Sequence, residues 1–221
     1  LTCTGNRYAA KTHKRAADGS VFTGKFTVSQ YLEYETVTFD GLRGLFKLIK
    51  KLATNPRKFV IRGGLRSDAP QRNDGCVCRT SRRQPDGEEP YFEEVALAWA
   101  MIDLDKLENP NVLDPISIEA MQYIRSLLPP EFHDVACVYS LSASAGFSES
   151  SRISGHLWFV FDRSVSSQEL KVWLAGYPVD KKLFQCVQPH FIASPVFRDG
   201  IVDPIGGARN GLLPGSGTVV S

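Results

Sequence analysis

Two aspartates one residue apart close a hydrophobic run: residues 95–102 read VALAWAMI, and Asp103-Leu104-Asp105 follows. On a strand, side chains alternate between faces, so Asp103 and Asp105 share one face while Ile102 and Leu104 take the other. Like charges at such neighbouring positions repel unless a cation lies beside them. Hard carboxylate oxygens in this pattern suit Mg2+ or Mn2+ and a phosphate-bearing substrate. The plain alternative is a solvated strand end running into a turn. A second polar spacing, Ser154-Gly155-His156, lies inside the run ISGHLWFVFD. The two-residue period puts Ser154, His156, Trp158 and Val160 on one face. Ile153, Gly155, Leu157, Phe159 and Phe161 fall on the other, which is the apolar face and should pack on helices. His156 alone would read as a neutral core histidine; a neighbouring strand carrying Asp103 and Asp105 makes it a candidate for chemistry.

Charge is divided unevenly along the chain. The 221 residues sum to +2, but residues 1–90 hold 17 Lys/Arg against 9 Asp/Glu and residues 91–221 hold 9 against 15. The densest basic stretch is 57–83, with Arg57, Lys58, Arg62, Arg66, Arg72, Arg79, Arg82 and Arg83 against Asp68 and Asp74. A basic half beside an acidic half suits a protein that holds a polyanion with one part and metal ions with the other. A solvated basic loop is the alternative. Arg62, Arg66, Arg79, Arg82 and Arg83 are therefore candidate nucleic-acid contacts. Five cysteines, Cys3, Cys76, Cys78, Cys137 and Cys186, form no even framework and no Cys-x-x-Cys, so no zinc is expected and a reducing, intracellular setting fits. No apolar run reaches the ~20 residues of a membrane span, so no membrane partner is expected. The chain does not begin with Met, which fits a module of a longer protein.

The elements that must position these groups follow from periodicity and punctuation. Residues 1–24 read as a loose or edge segment and 26–39 as one or two strands. Leu42, Leu45, Phe46, Ile49 and Leu52 recur at helical spacing, with Asp40 as cap and Asn55-Pro56 as stop. A short strand over 58–62 opens into a long loop to about residue 90. Beyond it come a strand over 95–105, a helix over 118–128 stopped by Pro129-Pro130, a strand over 135–142, and a small-residue turn, SASAGFSESS. Then come a strand over 153–162, a helix over 166–175 capped by Ser166, and a last strand over 190–197. The order is βαββαβ, in which the first and third strands are expected to be central neighbours, placing Ser-x-His beside Asp-x-Asp.

With those motifs in that order, the chain resembles the archaeo-eukaryotic primases and primase-polymerases. The resemblance is carried by Asp103-Leu104-Asp105, Ser154-Gly155-His156 and Val179-Asp180, and by the neighbouring text SLSASAGF, WLAGYPVDKKLF and QPHFIASPVF, which is similar to the plasmid, phage and viral branch. It covers about residues 90–219. It implies an α+β protein with an N-terminal basic α/β unit over 1–90 packed on an RRM-like, palm-like catalytic unit over 91–221, and an active site in the cleft between them. It further implies a template-directed nucleotidyl transferase of mobile-element or viral DNA replication. Asp103, Asp105 and Asp180 would hold two Mg2+ or Mn2+ ions. Arg152, Ser154 and His156 would grip the incoming triphosphate, joined by Gln188 and His190, although several relatives carry Arg where Gln188 stands. Single-stranded DNA, nucleoside triphosphates and a helicase domain or subunit are the implied partners. The implied setting is the cytoplasm of a bacterial or archaeal cell, or the replication compartment of an infected one.

Other functions on similar elements are weighed on the same residues. A non-catalytic RRM-type single-stranded nucleic-acid-binding module would fit the aromatics of ISGHLWFVF, but the open face carries His156 and two aspartates in place of stacked aromatics, and the carboxylates repel a phosphate backbone unless metals intervene. A rolling-circle nuclease needs His-x-His, which His13, His133, His156 and His190 do not supply. A nucleotide cyclase palm would share the aspartates and leave Ser-x-His unexplained. Ser142, Ser144 and Arg209 could reach a site, but read more simply as turn and surface-loop residues. No P-loop is present.

Overall fold

In the computed structural model, residues 1–85, 87–147, 151–207 and 209–221 are described. The small-residue turn therefore lies partly outside the described residues, at 148–150. The chain is α+β, with three α-helices and four sheets among the described residues. Its first part is a set of short strands: β1 (Thr2–Cys3), β2 (Thr12–Arg15), β3 (Val21–Gly24) and β4 (Tyr31–Glu33). Helix α1 (Gly41–Ala53) follows, then β5 (Gly64–Leu65), β6 (Val77–Cys78) and β7 (Phe92–Glu93). The rest is longer and more regular: β8 (Leu97–Glu108), α2 (Ile118–Ser126), β9 (Cys137–Leu141), β10 (Arg152–Val165) and α3 (Ser167–Trp173). Two short strands end it, β11 (Val196–Phe197) and β12 (Asn210–Leu213).

The helices start where side chains can satisfy their free N–H groups. Ser117 Oγ accepts from Ala120 N at 3.1 Å at the head of α2. Ser166 and Glu169 form a reciprocal capping box at the head of α3, at 3.1 and 2.8 Å. These bonds, with Arg163, hold the Glu169 carboxyl down at about 2. Asp40 stands at the head of α1 as expected but makes no side-chain cap bond; Lys50 and Lys51 in the last turn complement the helix dipole.

The main sheet is antiparallel in the order β12-β9-β10-β8. Ala100, Ile102, Leu104, Leu157, Phe159 and Phe161 pack on α2 and α3 in one core. Met101, Val138, Trp158 and Val160 pack on Leu42, Leu45 and Ile49 of α1 in another. The two-residue period thus sorts β8 and β10 as expected, and a helix lies on each face.

Two expectations change. β8 is an edge of this ladder, with β10 between it and β9. Segment 190–197 is not the last strand of the sheet; β12 is. The reason lies in the backbone bonding of that segment, which is flanked and interrupted by Pro189 and Pro195. Its polar groups are taken by the first part of the chain: His190 exchanges bonds with Val60 at 2.7 and 3.1 Å, Ser194 N donates to Ala53 O at 3.0 Å, and Val196 N donates to Lys11 O at 2.9 Å. β11 pairs in parallel with β2, so this segment stitches the two parts of the chain together. Residues 1–24, expected to be loose, contain the β2–β3 hairpin.

Candidate functional site

His156 on β10 lies opposite Asp103 on β8. Its Nε2 is 3.3 Å from Asp103 Oδ1, with each side chain about one-fifth exposed. Gly155, between the two polar residues of Ser-x-His, lies under α2: a Cβ there would come within 2.8 Å of Ile124 Cδ1 and 2.9 Å of Met121 Sδ, so a larger residue would push these two side chains aside. Ser154 sits where the β10–β8 register slips by one residue. The slip puts Lys106 in the left-handed region, at φ 54°, and points its N–H at Ser154 Oγ, 2.8 Å away. Ser154 Oγ donates in turn to Asp105 Oδ1 at 2.8 Å. One oxygen of each carboxylate is thus engaged, and the other has no partner among the described residues.

These groups open onto a cleft of about 300 Å³. Asp103, Asp105, Lys106 and His156 form its floor, Ser140, Ser142, Ser144, Arg209 and Asn210 one side, and Lys11, Phe26 and Phe191 the opposing wall. Phe26 and Phe191 stack with ring centroids 3.6 Å apart. Arg209, read from sequence as a surface-loop residue, is 3% exposed. Asp203 holds it through two bonds at 2.8 and 3.2 Å, and it donates to Ser142 O at 3.0 Å. Lys11, Lys106 and Asn210 were not legible as site residues: no motif contains the first, and the other two depend on the bulge and on β12.

The remaining expected site residues separate. Asp180 N donates to Asp103 O at 3.1 Å, which brings its backbone against the edge of β8. Its carboxylate, however, is exposed and accepts from Lys182 N at 2.9 Å, capping the 3-10 turn Lys181–Phe184. Among the described residues, no three His, Cys, Asp or Glu side chains are gathered as a ready metal shell. Asp103 and Asp105 fit a hard divalent cation, having same-face carboxylates with free oxygens; Asp180 has one oxygen engaged in its cap and does not line the cleft. Arg152 is exposed and donates to Lys106 O at 3.2 Å. Gln188 is half-buried, and neither it nor Arg152 lines the cleft.

His190 is fully buried, packs against both Trp99 and Trp158, and does not line the cleft. Neither ring nitrogen has a partner among the described residues. Burial, reinforced by Arg62 and His156, pushes its pKa down to about 3. The unfolded chain therefore takes up a proton near pH 6.5 that the folded chain refuses until about pH 3. Stability from this group is complete above pH 6.5 and falls as pH drops toward 3, by at most about 1.4 kcal/mol per unit. Urea melts of wild type and His190→Leu across that range should show a shallower acid slope in the variant. Parallel slopes would mean that the histidine titrates normally.

The basic stretch 57–83 is largely engaged within the protein. Arg62 is 1% exposed and donates to Trp99 O and to Val165 O, the latter at 3.0 Å. It braces β8 against the end of β10 and cannot reach a template. Arg66 is paired with Asp68 at 2.7 Å, Arg72 with Asp74 at 3.1 Å and Arg83 with Glu89 at 3.2 Å. Arg79 donates inward to Val187 O. Arg82 alone of the five candidate contacts is exposed with no side-chain partner among the described residues. The +6 of the stretch is largely spent on the protein itself.

Compared with known proteins, the chain matches no family model, no curated protein and no solved structure. Among the described residues, no helix is long and apolar enough to cross a membrane.

Proposed function

We propose that the cleft carries out template-directed nucleotidyl transfer, as a primase or primase-polymerase acting on single-stranded DNA with nucleoside triphosphates and working with a helicase. In this reading the main sheet with α2 and α3 is the RRM-like catalytic unit, and the first part of the chain closes the cleft over it. The observation that carries the proposal is the pairing of Asp103 with His156 on adjacent strands, beside Asp105, in a cleft that also holds Arg209 and Lys106. A site that sets carboxylates beside cationic groups suits a substrate that is itself polyanionic and metal-bound.

Asp103 and Asp105 would hold the divalent ions, with Asp180 completing the set once its carboxylate leaves the Lys182 cap. Bound Mg2+ or Mn2+ supplies charge stabilisation to the attacking hydroxyl and to the pyrophosphate leaving group. The chain's own residues do the rest. Ser154 fixes the direction of Asp105, and Lys106, held by the bulge, keeps its backbone on Ser154. His156 donates to a phosphate oxygen, while Arg209, its charge answered by Asp203, holds the Ser142 carbonyl in place beside the cleft. The RRM-type binding module loses support because α1 covers the face on which such a module stacks bases; Trp158 there is 1% exposed.

His156→Ala tests the assignment. A charge-assisted bond to phosphate contributes ~1.5–3 kcal/mol, so the apparent nucleotide KM should rise about 10- to 100-fold and kcat should fall. Affinity for single-stranded DNA should hardly change. Loss of DNA binding with an unaltered nucleotide KM would move His156 to the template path.

A further inference from the structure

If residues 57–83 spend their charge on internal pairs, the cleft still needs a surface that presents the template. We infer that the β2–β3 hairpin is that surface, binding single-stranded nucleic acid by cationic and aromatic contacts and leading it into the cleft; the inference rests on the function proposed above.

Three observations carry it. The first is charge. Residues 1–30 contain Arg7, Lys11, Lys14, Arg15 and Lys25 against a single carboxylate, Asp18, which is occupied by Ser20 at the hairpin turn; the one other carboxylate bonded to the hairpin among the described residues, Asp199, accepts from Arg15 N at 3.2 Å. Among the described residues none of the five is ion-paired, in contrast to Arg66, Arg72 and Arg83. Cations left unneutralised on one edge are what a phosphate backbone can use.

The second is the pairing of cation with aromatic on one face. Lys14 lies directly opposite Phe22 in the hairpin register. Phe22 is 50% exposed, with Lys14 Nζ 5.6 Å from its ring centroid. A half-exposed ring flanked by a lysine offers a base a face to stack on and its phosphate a charge to meet.

The third is continuity and rigidity. Lys11 and Phe26, at the base of the hairpin, are themselves wall residues of the cleft, with Lys11 Nζ 5.9 Å from the Phe26 centroid. Lys14 stands three strand residues along, about 10 Å farther out. The hairpin's other face is fixed. His13 is fully buried against Phe147 and Phe197, and its ring nitrogens lie 2.9 Å from Ala143 O and 3.0 Å from Thr23 Oγ1. β11 occupies the β2 edge, so β3 is the open edge of that sheet.

The test is fluorescence anisotropy of a labelled oligodeoxythymidine across a salt series, with parallel binding of a fluorescent nucleoside triphosphate and measurement of oligomeric state. All substituted side chains are exposed, so folding is not at risk. Lys14→Ala with Lys25→Ala should weaken DNA binding and make the salt slope shallower by about 1.4, at roughly 0.7 per phosphate contact. Phe22→Ala should weaken it about tenfold with the slope unchanged, and Phe22→Trp should restore it. Triphosphate affinity should not move in any of them. Hairpin variants that bind DNA as wild type does would overturn the inference and leave the cleft reading standing. Wild type with no affinity for single strands would overturn both. A change of oligomeric state in Phe22→Ala with unaltered DNA affinity would make the hairpin a surface for a second copy of the chain instead, and would equally overturn it.

Discussion

Asp103→Asn combined with Asp105→Asn should abolish nucleotide incorporation, lowering it at least about a thousandfold, while the protein stays folded with a nearly wild-type Tm. The two halves of that expectation have separate causes. Among the described residues Asp103 and Asp105 are the only carboxylates that line the cleft, and losing charge stabilisation of several kcal/mol costs about tenfold per 1.4 kcal/mol. The fold has little to lose. Asn at 105 still accepts from Ser154, the Asp103–His156 pair is partly solvated and so contributes little, and removing two like charges relieves repulsion. A product gel and a thermal melt on the same preparation check both. Full incorporation by a well-folded double variant would take these residues out of the chemistry.

Arg62→Ala should be the most damaging single change to stability, about 3–5 kcal/mol, or about 6–20 °C in Tm for a chain of this size. The guanidinium is buried and donates to the carbonyls of Trp99 and Val165, which lie on the two strands at the same end of the β8–β10 pairing. Truncation removes this donor from both carbonyls, at about 1–3 kcal/mol for each one left without a partner, and adds a cavity beside Trp99. Burial lowers the arginine to about 10, yet it is still charged at neutral pH, and its charge is answered by carbonyl dipoles and by Glu94 at longer range. Calorimetry of the variant measures the loss, and DNA titration below its Tm separates stability from binding: DNA affinity should match wild type. A variant that melts normally but binds DNA weakly would return Arg62 to the template-contact role that its sequence position suggested.

How much was legible depended on whether the deciding contact was local or periodic. The faces of β10 could be read from ISGHLWFVFD because the strand is covered on both sides, by α1 and by α2 with α3, so each alternate position meets a different core. The closeness of Asp103 and His156 followed from the same period once the strands were taken as neighbours. The Ser154 bulge could not be read, since a one-residue slip leaves no mark on alternation. The burial of Arg209 depends on Asp203, six residues away across a glycine-rich turn, and that of Arg62 on carbonyls far along the chain; formal charge does not distinguish either from a surface arginine. Segment 190–197 looked like a sheet strand because it is rich in apolar and aromatic residues, but Pro189 and Pro195 limit its ladder bonds and the first part of the chain takes the others. The β2–β3 hairpin did carry a signal, Asp18-Gly19 with glycine at φ 85°, which polar strand residues such as Lys14 and Arg15 obscured.

Nucleotidyl transfer in this cleft is tested most directly by incubating the protein with unprimed single-stranded DNA, Mg2+ or Mn2+ and labelled nucleotides, with ribo- and deoxynucleotides supplied separately, and resolving the products on a gel. The expected result is a ladder of products that requires template and divalent metal together, with at least one of the two nucleotide classes, and that vanishes in the Asp103→Asn, Asp105→Asn variant. Tight binding of single-stranded DNA by a folded protein that makes no product with either class, either metal or any template would contradict it and leave a nucleic-acid-binding module in its place.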